Sequence, residues 1–120
     1  MSATTEEGCA TVAYDERLAK RVRDALGYTQ NVTERKMFGG VGFMVRGNMC
    51  CGVLGDTLMV RVGPVAYEKL LKLKHARVEV ANMRQMRGFV YVVPEGTGTA
   101  RQLRTWVQRG LEFVKTLPAK

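Results

Sequence analysis

The sequence predicts an α+β domain, an antiparallel sheet of about five strands (a three-stranded meander plus two) with N-terminal, middle and C-terminal helices. Three observations carry this. The run from Lys36 to Val62 is apolar and punctuated by glycine, and two turn signals, Gly47-Asn48 and Gly55-Asp56, divide it into three strands. Near the C-terminus Leu103, Trp106, Val107, Gly110, Leu111 and Val114 recur at i, i+3, i+4, i+7, i+8 and i+11, the apolar stripe of an amphipathic helix. Between these stretches Pro64 stands where a first helical residue belongs, ahead of Ala66, Tyr67, Leu70, Leu71 and Leu73.

Taken along the chain, Met1 to Ala13 is small and polar and is expected to be flexible, with the folded domain over residues 14–118. Asp15 is placed to cap a helix in which Leu18, Val22, Ala25 and Leu26 recur at helical spacing, and Gly27 to end it. Glu16 precedes Lys20, and Glu68 precedes Lys72, by one helical turn, so both read as surface pairs. Gly39-Gly40 is expected to form a bulge or to admit a helix closely.

With the two turns so placed, Arg46 faces Met49, Met44 faces Cys51, Cys51 faces Val60 and Val53 faces Leu58. One face of the meander is then apolar, while the other collects Phe43, Val45, Cys50, Leu54, Thr57, Met59 and Arg61. Two accounts of that mixed face stand side by side. Phe43, Val45, Cys50, Met59 and Arg61 form a partner, ligand or dimer surface, or a helix covers them and Arg61 reaches water along its aliphatic stem.

After the second helix, Lys72 to Arg77 reads as a basic exit loop, followed by a short strand near Val78 to Val80 and a stronger one from Gly88 to Val93, which Pro94-Glu95-Gly96 stops. Thr99 caps the last helix, whose outward side carries Arg101, Arg104, Gln108 and Lys115.

Composition bounds the class. A chain of 120 residues with 46% hydrophobic and 25% charged residues has the balance of one globular domain. It has no apolar run of bilayer length and no signal-like start, so a cytoplasmic protein without membrane contact is expected. Cys50 and Cys51 are neighbours in a strand and are expected on opposite faces, unsuited to a shared metal or a relaxed disulfide. With no CxxC spacing and a single histidine, His75, neither a metal site nor a cofactor is expected.

Catalytic constellations are equally thin. Ser2 is the only serine and lies in the N-terminal segment, which excludes a serine-histidine-acid triad. Gly39-Gly40-Val41-Gly42 lacks the strand-to-helix context of a phosphate loop. One chemical reading remains open: opposite Arg61, Cys50 has a stabilised, modifiable thiolate, or it is a buried and inert small hydrophobe.

Charge is the positive clue to partners. Nineteen Lys plus Arg against 11 Asp plus Glu give a formal net charge of +8, which attracts nucleic acid or an acidic protein surface. Arg17, Lys20 and Arg21 share one side of the first helix, Arg35 and Lys36 precede the meander, and Arg84 and Arg87 flank the loop before Gly88. Together these are the candidate phosphate contacts. No helix-turn-helix, zinc finger or RNP-type aromatic motif accompanies them, so any DNA contact is expected to be weakly specific.

Three stretches in order, KMFGGVGFMVRGNMCCGVLGDTLMVRVGP from Lys36, MRGFVYV from Met86 and WVQRGLEFVKTLP from Trp106, resemble the N-terminal domain of TfoX/Sxy-type competence regulators. The resemblance spans Tyr14 to Pro118 and implies a small α+β domain, here as a single-domain member. It also implies a non-enzymatic regulatory interaction module, related to transcription through a protein partner or an auxiliary DNA contact; a homodimer is compatible with that role. The reading from a different class is a small-ligand or thiol-dependent factor using the sheet face around Cys50 and Arg61.

Overall fold

The computed structural model describes residues 14–27, 29, 31–37, 39–77 and 88–119. Helix α1, Glu16–Leu26, begins where the Asp15 carboxylate accepts the amide N–H groups of Arg17 and Leu18 at 2.9 and 3.2 Å. It ends at Gly27, whose φ of 48° needs a residue without a side chain and whose N–H returns to the Arg23 carbonyl. Four strands follow: β1 Val32–Met37, β2 Gly40–Val45, β3 Asn48–Leu54 and β4 Thr57–Arg61. Helix α2, Gly63–Leu71, carries Pro64 in its first turn. Strands β5, Ala76–Arg77, and β6, Phe89–Val92, lead through a 3-10 turn, Pro94–Gly96, to α3, Ala100–Val114. Thr99 caps α3 in a reciprocal box with Gln102.

The described residues thus form an α+β domain with a six-stranded sheet in the order β1-β2-β3-β4-β6-β5, every neighbouring pair antiparallel. The count exceeds the expected five because β1 is a strand the apolar pattern does not announce. Its residues, Val-Thr-Glu-Arg-Lys-Met, sit at the sheet edge, where charge on both sides blocks further pairing. The stretch expected to be a basic loop ends in β5, whereas the strand expected at Val78 to Val80 and the segment Met1 to Ala13 lie outside the described residues.

The first turn of the meander is one residue earlier than expected. Arg46 and Gly47, at φ 51° and 83°, make the two-residue connection, so Val45 pairs with Asn48 and Met44 with Met49. The register then shifts: Phe43 pairs with Cys51, leaving Cys50 as the extra residue of a bulge. Beyond the bulge the expected pairs hold, Cys51 with Val60 and Val53 with Leu58. Gly40 has a different cause from the bulge or helix approach expected there. A Cβ at Gly40 would lie 2.2 Å from the Val53 carbonyl oxygen and 2.5 Å from the Leu54 side chain, so a neighbouring strand is what comes close.

All three helices pack on one face of the sheet, α1 beside α3, α3 over β3 and β4, and α2 against β5 and β6. There Val22, Phe43, Val53, Val60, Val90 and Val107 are fully or almost fully buried in one continuous core. On the other face Leu54, Met59 and Tyr91 form a smaller buried cluster with Met49 and Phe89 packed against it. The C-terminal segment returns to the first hairpin, where buried Asn48 donates from Nδ2 to the Pro118 carbonyl at 2.9 Å and Arg46 donates to the Leu117 carbonyl at 3.4 Å.

Candidate functional site

The bulge redistributes the residues expected on the mixed face. Phe43, Val45 and Cys50 belong to the helix-covered core, whereas Met59 lies in the opposite cluster, so these residues form no single surface. The physical reason is the extra residue at Cys50, which inverts the alternation of β3 upstream of it. Cys50 and Cys51 consequently share the main core instead of pointing apart. A hydrogen bond with the Cys50 thiol, and then burial, hold the Cys51 thiol well above the ordinary thiol range. Arg61, half-buried, places its guanidinium carbon 5.7 Å from the Phe89 ring centre and 5.5 Å from that of Phe113, a cation held between two aromatic faces.

The candidate phosphate contacts are likewise dispersed. On α1 Arg17 is exposed, and Lys20 pairs with Asp24 at 3.1 Å instead of with Glu16. Arg21 is turned inward, donating to the Thr97 carbonyl at 2.6 Å and tying α1 to the approach to α3. On the opposite flank Arg23 engages Glu34 of β1 through two hydrogen bonds, Nη2 to Oε1 at 2.8 Å and Nε to Oε2. That pairing raises the Arg23 guanidinium and lowers the Glu34 carboxyl from their ordinary values. Since Val32 packs on the core and Glu34 meets α1, strand alternation puts exposed Lys36 on the helix side and exposed Arg35 on the other. Arg84 and Arg87 lie outside the described residues.

A concave surface forms instead between α2 and α3. Its larger cleft, about 590 Å³, has Val65, Ala66, Leu70 and Phe113 as apolar lining and Lys69 and Arg109 at its sides. A smaller one of about 260 Å³ lies between Leu73, Lys74, His75 and the first half of α3, with Arg101 and Trp106 among its walls. Arg109 is common to both and is held in place by stacking 4.5 Å over the Trp106 ring. Lys69, Lys74, Arg101 and Arg109 make no ion pair and donate no side-chain hydrogen bond among the described residues, and Glu112 is the one carboxylate lining the two clefts. The basic run Lys72 to Arg77 and the outward Arg101 were legible as charges. The convergence of Lys74 and Arg101 with Lys69 and Arg109 was not, because α2 and α3 are far apart in sequence, with β5 and β6 between them.

Among the described residues no group of three or more His, Cys, Asp or Glu is arranged to hold a metal ion, and no helix is long and apolar enough to cross a membrane. The model of the TfoX N-terminal domain family matches residues 24–114. No curated protein matches the chain. No solved structure matches it either.

Proposed function

The chain belongs to the TfoX N-terminal domain family, a regulatory, competence-related family, and on that premise we propose that it is a non-enzymatic module contributing to transcription in the cytoplasm by docking a protein partner. The observation that supports this reading is the α2–α3 surface, where cations without a carboxylate partner among the described residues surround apolar side chains. Paired charge and apolar area are what a protein interface uses, one for orientation and encounter and the other for affinity.

An auxiliary, weakly specific contact with DNA is the second reading, favoured by the net charge of +8 and by the exposure of Arg17, Arg35 and Lys36. Lys20, Arg21, Arg84 and Arg87 belong to the same proposed set. The thiol-dependent or small-ligand alternative requires Cys50 and Arg61 to act together, and it needs an opening that exposes a cysteine lying at 0% exposure. A homodimer would be compatible with the docking role.

The test compares transcript profiles of cells lacking the chain with cells in which it is restored. A reproducible set of transcripts that returns on restoration is expected, and identical profiles would remove the regulatory reading. Fluorescence anisotropy with random duplex DNA across a salt series separates the DNA mode. Binding that weakens steeply with salt, with a slope reduced in an Arg17→Gln/Arg35→Gln/Lys36→Gln variant, would support it; no binding at low salt would leave the protein partner alone.

A further inference from the structure

We propose that the two clefts between α2 and α3 together receive an acidic, amphipathic segment of a protein partner, the apolar side chains entering the larger cleft and the carboxylates meeting Lys69, Lys74, Arg101 and Arg109. The proposal names the partner chemistry of the docking surface above and rests on that reading.

Three features select this occupant. First, Val65 at 96% and Leu73 at 39% exposure are the large hydrophobics exposed among the described residues, one at each end of the surface. Apolar side chains presented to water beside a cleft mark an interaction site. Second, the walls of the cleft are packed: the Phe113 ring rests against Gly63, in the space a Cβ there would occupy, and Arg109 stacks 4.5 Å over Trp106. A preformed site of this kind reduces the ordering cost of binding.

Third, the charges are one-sided. Four cations face one carboxylate, Glu112, which complements an acidic segment and repels a basic one. Duplex DNA satisfies the cations but offers its phosphate backbone to an apolar concavity, leaving Val65, Leu70 and Phe113 without apolar partners. A helix with apolar residues at i, i+3, i+4 and i+7 and acids between them satisfies both.

The experiment is an NMR titration of the 15N-labelled chain with a synthetic peptide of about 15 residues carrying Leu and Phe at those positions and Glu elsewhere. Three competitors accompany it: the same peptide with Ser for Leu and Phe, the same peptide with Gln for Glu, and random duplex DNA. The expected result is amide shifts confined to α2, the turn after it and α3, with both altered peptides about tenfold weaker or more. Val65→Ser and Lys69→Gln, both at exposed positions, should each weaken the parent peptide while leaving the spectrum of the free protein otherwise unchanged.

Equal binding of the serine peptide would reduce the surface to charge alone and overturn the proposal, as would equal binding of the glutamine peptide. Tighter binding of DNA to the same residues, shifts elsewhere, or no binding would also overturn it. The regulatory reading is judged separately. If the peptide fails while the restored chain still changes the transcript profile, only the cleft assignment falls; if the profile does not respond, the regulatory reading falls with it.

Discussion

Gly110 of α3 lies directly over the bulge at Cys50: a Cβ at Gly110 would stand 2.9 Å from the Cys50 carbonyl oxygen and 3.1 Å from its sulfur. In an isolated helix Gly→Ala is favourable by about 1 kcal/mol. Here the nearest neighbour is backbone, which cannot swing away. Gly110→Ala is therefore expected to destabilise by about 1–3 kcal/mol, the usual cost of overpacking. Urea unfolding measures it, and unchanged or increased stability would mean that α3 is free to lift from β3.

Asn48 is 2% exposed and holds the Pro118 carbonyl through Nδ2. Asn48→Ala leaves that oxygen without its donor and should cost about 1–3 kcal/mol. Thermal melting reports the loss; a change within error would show that water replaces the amide.

The Arg23–Glu34 pair predicts a small acid-sensitive contribution. Glu34 titrates below its ordinary value because of its hydrogen bonds to Arg23, so the folded state favours the carboxylate. The stabilisation is present in full above the ordinary carboxylate range and is lost as pH falls through the lowered value. Both side chains are more than a third exposed, 52% and 36%, so a double-mutant cycle at neutral pH should give less than about 1 kcal/mol. A coupling energy that stays constant into acid would contradict the assignment.

Arg21 and Arg17 share one side of α1 but should respond differently to truncation. Arg21→Ala removes the link to the Thr97 carbonyl and is expected to cost about 1–2 kcal/mol. Arg17→Ala should stay within about 0.5 kcal/mol. Equal effects in chemical denaturation would mean that the link from α1 to Thr97 contributes nothing.

The cysteine pair should resist alkylation in the native state. Cys50 and Cys51 are both at 0% exposure, out of reach of a reagent in solution, and the Cys51 thiol is also held well above its usual range. Iodoacetamide followed site by site by mass spectrometry is expected to label them only on unfolding. Native labelling of Cys50 would favour the thiol-dependent reading over the docking one.

Much of the fold was legible because its signals are local. Asp15, Gly27, Pro64 and Thr99 act within one helical turn, and the stripe from Leu103 to Val114 declares which side of α3 is buried. Gly55-Asp56 also closes its hairpin as read, with Leu54 opposite Thr57. Gly47-Asn48 misled because Arg46 takes the positive φ that such a turn normally assigns to Asn, Asp or Gly, and Asn48 is used for a buried bond to the C-terminal segment. The displaced turn by itself keeps every side chain on its face; the unpaired residue at Cys50 reverses the alternation, and for that reason the residues expected on the mixed face do not meet.

The amino-acid order by itself therefore determined the fold class, the helix starts, the second hairpin and the cationic excess, all properties of neighbouring residues or of simple totals; α2 stops at Leu71, so Leu73, expected on its apolar side, stands exposed beyond it. The tertiary structure alone decided that Cys50 and Cys51 share one core, that Arg21 is tied to Thr97 while Arg17 remains in solvent, and that Lys69 and Arg109 flank one apolar cleft. Register and charge convergence depend on which distant segments pack together, and a single unpaired residue in a strand is enough to reverse the side on which its neighbours stand.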